Sequence, residues 1–595
     1  MNSFLHRFKE FQKTLAFDVF CFLWTGVFCF ISFAPFYLTH FVWIAPFGLF
    51  WMAHKYSGRY WRLLGYGFLF GVFFYAIAFH WIHHMAMVFG NFPWIVAFIL
   101  LLLAGVLFGA KFPLFLVSYS FLSRRVGKHS VWVAGACGMA ADMLGYQLFP
   151  WYWGNLLAGN IILAQTVEIT GVYGLSFLVF VISYTLFETN PLHIVEILKS
   201  KEKRTHFARF WALPFALLAI FLILGTSLYI KWKNVTPKKT LEVLVVQPNA
   251  PMSIRDERGR SPRQVIEEHM AHMDKMVEDA VQKAGKNPDL IVLPEAGIPY
   301  YSARKAPLME TIGMYWPRFD SLMISFANRY RANVLFNEID AAYKKKSSGK
   351  EYLRYFNNNV VYDPNGVRRE AYQKQYLVMF GETMPFEFMY DLSPQTGRFD
   401  PGESFDLLHY YSSAPKEPAP LLPITWERTE GLDADFVRNY YAPLQSEIKE
   451  AGPFLPLICY EVIVPEFVRK FKDSGNPEFI ANLTNDKWYG TTTESDQHFE
   501  LGRLRAIEWR RWIVRSTNSG ISGFVDHVGR FIPGKSTGLM TAETTWQQIQ
   551  VIDSPPGFYV LYGDLIPWIL VVLTAVYYGN LLFQQRRLKS MEKTA

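Results

Sequence analysis

A bundle of transmembrane helices carrying one large layered α/β domain is the architecture this sequence predicts, and three observations lead to it. Apolar residues make up 51% of the 595-residue chain, while charged residues reach only 18%, below the share of about a quarter in ordinary soluble domains. The shortfall is uneven. Residues 14–232 and 565–583 are almost continuously apolar, whereas 233–560 read like a soluble domain. Within that hydrophilic stretch, short β-branched runs alternate with helical patterns, as strands and helices of a layered unit do. So long a chain also exceeds what one compact core usually holds.

A helix crossing the hydrocarbon layer needs about 20 apolar residues. Candidate spans are 16–36, 38–54, 63–83, 92–121, 130–149, 164–187, 209–230 and 565–583, the second short and the fourth long for a span. The first run lacks a small-residue cleavage site and reads as a retained anchor. Every second loop is basic: Arg7, Lys9 and Lys13; Lys55, Arg59 and Arg62; Arg124, Arg125 and Lys128; Lys199, Lys201, Lys203 and Arg204; then Arg586, Arg587 and Lys589. The loops between them, around 37–40, 81–91 and 151–160, hold no lysine or arginine. By the positive-inside rule both termini are expected in the cytoplasm and the hydrophilic insert outside it. The same clustering accounts for the net charge of +8 without nucleic acid as a partner.

Ionisable residues inside the apolar runs are costly unless paired or facing a cavity. Lys111, Asp142 and Glu168 are therefore either functional or members of structural ion pairs or interfaces. His80, His83 and His84 have helical spacing suited to a metal, yet no carboxylate or thiol lies near them, and interfacial packing is the expectation.

The insert opens with LEVLVVQPN (241–249), a strand ending in a turn, and an amphipathic helix is expected over 263–285. PDLIVLPEAG (288–297) delivers Glu295 at the end of a strand. NVLFNEID (333–340) and NNVVYDPNG (358–366) read as further strands, the latter closing in a turn. LPLICYE (455–461), FIANLTND (479–486), a helix near 496–510 and the hairpin-like GISGFVDHVGRF (520–531) complete the unit. Residues 391–452 form a long stretch of weak periodicity, too rich in aromatics to be wholly disordered.

Cysteine usage directs attention to chemistry. Cys21, Cys29 and Cys137 lie in apolar runs, where cysteine acts as a small hydrophobe. Cys459 is alone in the hydrophilic insert, so it has no disulfide partner there. A thiol needs a base or a cation nearby to become a nucleophile. Glu295 can accept its proton, and Lys374, in AYQKQYLVMFGE (371–382), can lower its pKa and stabilise an oxyanion. Together the three make a complete acyl-transfer site.

The order Glu295, Lys374, Cys459 in the contexts LPE, YQK and LICYE resembles the carbon–nitrogen hydrolase (nitrilase) superfamily. The runs QPNAP (247–251), YLVMFGETMPFE (376–387), NLTNDKWYG (482–490) and QHFELGRLRAIEWRRWIVRSTNSGISGFVDHVGRF (497–531) resemble, more narrowly, the apolipoprotein N-acyltransferase family. SFAPF (32–36), FPWYWGN (149–155) and GVYGLSFLV (171–179) extend the likeness into the membrane portion. The resemblance implies a membrane domain over 1–232 with about seven spans, an extracytoplasmic nitrilase-like α-β-β-α sandwich over 233–560, and a last helix with cytoplasmic tail over 561–595. It implies ping-pong transfer of an acyl chain from a phospholipid, phosphatidylethanolamine foremost, through a Cys459 thioester. The acceptor would be the α-amine of the diacylglyceryl-cysteine of an apolipoprotein. Glu295 would carry the proton, with Lys374 and the Tyr460 N–H stabilising the oxyanion. Glu382 and Glu461 match supporting acidic positions; Trp488 matches a tryptophan whose role is either supporting or structural. No cofactor and no metal are implied, and a monomer in the bacterial inner membrane is expected.

The stretch 391–452 looks expanded relative to the family pattern, and Ser253, Ile254 and Arg255 stand where a tryptophan is expected after QPNAP. Two other readings remain: a membrane-tethered amidase with water as acceptor, and a non-enzymatic receptor or transporter built on a nitrilase-like domain.

Overall fold

The computed structural model describes residues 7, 10–88, 90–126, 131–189, 201–251, 261–296, 315–345, 349, 351–384, 386, 390, 397–413, 424–429 and 432–594. Ser253, Ile254 and Arg255 lie outside these, as do parts of 391–452. The chain divides into two compact units, residues 1–234 with 557–595, and residues 235–556.

The first unit is helical, and this is a membrane protein. Among the described residues, five helical stretches are long and apolar enough to cross a bilayer: Leu15–Ser32, Tyr60–Ala78, Trp94–Arg125, Val167–Glu188 and Trp211–Lys233. Val131–Leu144 and Leu565–Asn580 are shorter apolar helices. Two expected spans differ. Residues 38–54 are a 3-10 turn, Thr39–Trp43, followed by the helix Phe47–Lys55. At 1.5 Å per residue that helix is only about 14 Å long, too short to cross. Hydropathy registers the apolar run but not Pro46, which starts the helix late. The stretch 92–121 is broken at Gly109 into Trp94–Phe108 and Lys111–Val126.

Glycines set the spacing around that break. A Cβ on Gly71 would lie 2.3 Å from the Gly105 carbonyl oxygen, and one on Gly109 would lie 2.8 Å from the Gly71 Cα. Gly105 and Gly109, four apart, thus let Tyr60–Ala78 pack backbone to backbone, the small-residue device of membrane helices. Lys111, Asp142 and Glu168, the ionisable residues expected to need partners, have them. Lys111 Nζ lies 2.9 Å from Asp142 Oδ1, and Asp142 Oδ2 accepts from Trp153 N at 2.8 Å and Ser176 Oγ at 2.7 Å. Lys111 also donates to the Trp151 carbonyl and sits 3.4 Å from the centre of its ring. Glu168 accepts from the Trp232 indole at 2.9 Å. Of the histidines, His80 turns to the Ile77 carbonyl and His83 to that of Trp94.

The second unit is the nitrilase-like sandwich, with eleven strands among the described residues: β1 (Lys239–Gln247), β2 (Leu290–Val292), β3 (Asn333–Lys345), β4 (Glu351–Tyr362), β5 (Arg368–Gln373), β6 (Leu408–Ser413), β7 (Ile448–Ile458), β8 (Phe479–Thr484), β9 (Trp512–Thr517), β10 (Gly523–Val525) and β11 (Glu543–Val551). One sheet runs β11-β1-β2-β3-β4-β5, the other β10-β9-β8-β7-β6. Within them β1, β2 and β3 are parallel, as are β7, β8 and β9. The first strand and the last are antiparallel partners, from Lys239 opposite Val551 to Gln247 opposite Glu543.

Helices Pro262–Ala284 and Pro317–Tyr330 pack their apolar faces on the six-stranded sheet, with Met270, Met273, Phe319 and Met323 fully buried against Leu244, Ile291 and Phe336. A Ser261–Gln264 capping box starts the first helix and left-handed Gly285 ends it. The five-stranded sheet is covered by Glu494–Trp509. The expanded stretch contributes β6, the start of β7 and the helix Ala434–Tyr441. The carboxyl ends of β2, β7 and β8, all in parallel pairs, carry Glu295, Cys459 and Asp486 just beyond them, where open α/β sheets present their polar groups.

Candidate active site

Glu295 follows β2 by three residues and is 6% exposed. The next residue, Ala296, is left-handed (φ 51°) and its N–H donates to Asn337 Oδ1 at 3.0 Å, which fixes the turn. Glu295 Oε1 accepts from Asn357 Nδ2 at 2.7 Å and from Lys374 Nζ at 3.3 Å. Lys374 lies one residue past β5, its N–H bonded to the Asn357 carbonyl at 2.8 Å. Its ammonium also donates to Glu382 Oε1 at 2.8 Å, and Asn357 reaches the same oxygen at 3.2 Å. One lysine and one asparagine thus separate two carboxylates.

Cys459 is the residue after β7 and opens the 3-10 turn Cys459–Ile463. Its φ of 52° puts a non-glycine residue in the left-handed region, which costs about 1–2 kcal/mol and has to be held by its surroundings. Of the four cysteines Cys459 is the residue with intermediate exposure; Cys21, Cys29 and Cys137 are buried.

The charges are mutually consistent. Burial pushes the Glu295 carboxyl up, Lys374 pulls it back, and Glu382 adds to the rise. Burial alone would depress Lys374, but Glu295 and Glu382 hold it above the ordinary lysine range, so it stays an ammonium. Burial, then Glu295, push the Cys459 thiol well up, and Lys374 offsets only part of this. Lys374 therefore acts in the expected direction without producing a thiolate at rest.

The remaining expected residues fall around this centre. Glu461 is fully buried and accepts four hydrogen bonds: from Ile458 N at 2.8 Å, Gln375 N at 2.8 Å, Tyr376 N at 3.1 Å and the Tyr372 hydroxyl at 2.9 Å. Glu382 Oε2 accepts from Val378 N at 2.9 Å. Tyr460 packs its ring 5.5 Å from that of Tyr376. Trp488 is half-buried on the turn Asp486–Tyr489 that follows β8.

Sequence reasoning missed two groups. Asn337 and Asn357 form a polar bridge inside an apolar sheet, Asn337 Nδ2 donating to Asn357 Oδ1 at 2.6 Å; the run Asn357–Asn359 in a buried strand was the available signal. The second group lies under Cys459. The Cys459 carbonyl accepts from Asn482 Nδ2 at 3.1 Å and meets His498 Nε2 at 3.3 Å. Arg515 bonds Asn482 Oδ1 at 2.6 Å and Asp486 Oδ2 at 2.7 Å, and Asp486 Oδ1 faces His498 Nδ1 at 3.2 Å. Burial opposes the Asp486 charge, but Arg515 and His498 hold its carboxyl well below the usual range. Burial and the neighbouring Asp486 push Glu494 well up. Donor atoms of Asp486, Glu494 and His498 lie within 4.8 Å of one another, a spacing compatible with a cation, but the Arg515 guanidinium already serves Asp486.

The sequence matches two family profiles, the apolipoprotein N-acyltransferase N-terminal domain over residues 25–185 and carbon-nitrogen hydrolase over residues 259–552. It is 60% identical over 597 aligned residues to apolipoprotein N-acyltransferase 2 of Leptospira interrogans, covering 99% of this chain and 100% of that protein. The chain belongs to the apolipoprotein N-acyltransferase family. Apolipoprotein N-acyltransferase 1 of Leptospira interrogans is 28% identical over 86% of each chain. The apolipoprotein N-acyltransferase of Bradyrhizobium diazoefficiens is 26% identical over 75% of this chain and 72% of its own. Family membership makes the chain an acyltransferase, with a carbon–nitrogen hydrolase domain suited to N-acyl transfer.

Proposed function

We propose that the enzyme transfers an acyl chain from a phospholipid, phosphatidylethanolamine foremost, to the α-amine of the diacylglyceryl-cysteine of an apolipoprotein, through a thioester on Cys459. The observation that carries this reading is the Lys374 ammonium set between Glu295 and Glu382, with the Cys459 thiol close enough to feel both Glu295 and Lys374. Because the thiol is neutral at rest, its proton passes to Glu295 as Sγ attacks the ester carbonyl. Lys374 and the Tyr460 N–H stabilise the oxyanion. Collapse expels the lysophospholipid alkoxide, which takes the proton from Glu295 and leaves the thioester. The acceptor amine then attacks, losing a proton to Glu295, and the departing Cys459 sulfur regains one. Glu382 and Glu461 support the lysine and the cysteine turn, and Trp488, on the turn after β8, has either a supporting or a structural role.

In this reading the unit between the last two spans, residues 233–560, is the extracytoplasmic catalytic domain. Residues 1–232 and 561–595 anchor it in the inner membrane, with both termini cytoplasmic, and the enzyme acts as a monomer without cofactor or metal. The basic loops support that orientation.

The test is intact-mass spectrometry of wild type and Cys459→Ala after incubation with phosphatidylethanolamine and then a diacylated lipopeptide. A hydroxylamine-labile adduct on wild type alone, discharged onto the peptide amine, is the expected result. Discharge only to water would make the protein a hydrolase, and no adduct with any phospholipid would remove the mechanism.

A further inference from the structure

We infer that Asn482 and His498 are positioning residues that hold the Cys459–Tyr460 peptide so that the Tyr460 N–H points at the oxyanion formed on acylation. The inference rests on the acyl-transfer reading and deepens it.

A peptide unit is planar and trans, so its C=O and N–H point in opposite directions. Fixing the Cys459 oxygen therefore fixes the Tyr460 hydrogen. That oxygen is gripped from one side by Asn482 Nδ2 at 3.1 Å and His498 Nε2 at 3.3 Å. A carbonyl oxygen and a carboxylate both only accept, so His498 serves Cys459 and Asp486 at once only as the imidazolium, with a hydrogen on each nitrogen. The grip matters because Cys459 is left-handed, with φ 52°. Without it, the turn could relax by rotating this peptide and swinging the N–H away. Two donors on the carbonyl also polarise the amide and strengthen its N–H as a donor in turn.

Both donors are themselves held. Arg515 clamps the Asn482 oxygen at 2.6 Å and Asp486 at 2.7 Å, and Asp486 faces the far nitrogen of His498 at 3.2 Å. Thr484 adds a bond to Asp486 at 2.9 Å. The groups come from β8, the turn after it, β9 and the helix Glu494–Trp509, and all are buried. So dense an ionic network is expensive to bury. It reaches Cys459 at the carbonyl, through Asn482 and His498, and at the thiol, through Thr484.

The experiment compares two reactions of the same sulfur in the full-length protein reconstituted in phospholipid nanodiscs. Acylation by phosphatidylethanolamine, followed by intact mass, passes through an oxyanion. Alkylation by iodoacetamide, followed by the mass of the Cys459 peptide, is displacement at a saturated carbon and makes none. Asn482→Leu removes the donor without adding a charge, and His498→Ala removes the other donor. Each is expected to slow acylation on the order of 10- to 100-fold with alkylation unchanged. His498→Gln, which retains an N–H, is expected to recover part of the rate. Parallel loss of both reactions would reduce the two residues to fold support and overturn the inference, as would acylation at the wild-type rate. Wild-type protein that alkylates but never acylates would instead remove the acyl-transfer reading itself.

Discussion

The Tyr372 hydroxyl donates to Glu461 at 2.9 Å, and through this bond the turn that carries Cys459 is fastened to the strand that leads into Lys374. The same carboxylate takes backbone N–H groups on both sides, Ile458 before the cysteine and Gln375 after the lysine. Glu461 thus sets the spacing of the two groups without contacting either.

Glu461 also makes stability depend on pH. Burial lifts its carboxyl from 4.5 to about 7, against the pull of the backbone donors and Lys374. A carboxyl whose folded pKa is raised favours folding fully below the unfolded value, and that share is lost as pH rises through about 7. Glu461→Gln mimics the protonated form permanently. The variant is expected to gain on wild type by on the order of 3 kcal/mol between pH 4.5 and pH 8, read as the difference in thermal midpoints. A constant difference across that range would show that Glu461 is ionised throughout.

A neutral resting thiol predicts a particular alkylation profile. The rate at Cys459 should keep climbing as pH rises past 9, because burial and Glu295 hold the thiol well above its ordinary value of 9.0. A plateau below pH 8 would mean a standing thiolate and would remove the need for proton transfer during attack.

Lys374→Met removes the one charge between Glu295 and Glu382. With the carboxylates left facing each other, one retains a proton and the base is lost along with an oxyanion donor. Single-turnover acylation is expected to fall on the order of 10³-fold. Lys374→Arg should not restore it, since a planar fork cannot replace a compact ammonium; recovery with arginine would mean that charge alone suffices.

In the helical unit, Lys111→Met leaves Asp142 as a buried charge without its cation. A loss of about 3–5 kcal/mol is expected, visible as a lower melting temperature in detergent. The double variant Lys111→Met with Asp142→Asn should recover much of it. If the double variant is no better than the single, the two residues are not coupled.

The sequence disclosed the candidate site where chemistry coincides with a strand end. Glu295, Lys374 and Cys459 each stand just beyond the end of a strand, so a linear reading finds them and the family motifs then order them. Asn357 and His498 stayed hidden because their contacts cross 62 and 39 residues, to Glu295 and the Cys459 carbonyl. No local pattern records such a distance. The helical unit misled in the opposite way: hydropathy measures apolar content, so it read 38–54 as a span and missed the break at Gly109. β11 escaped because its face is largely polar, alternating Thr, Gln and Trp with few buried positions, and β6 because it lies in a stretch without clear periodicity.

The pairing of β1 with β11 has a consequence for how such a protein could arise and be handled. The Lys238 N–H bonds the Val551 carbonyl at 2.8 Å, so β1 begins and β11 ends one strand-width apart, about 5 Å. A gene segment encoding residues 238–551 is therefore a closed cassette: inserted into a host loop, it asks for no more room than a hairpin.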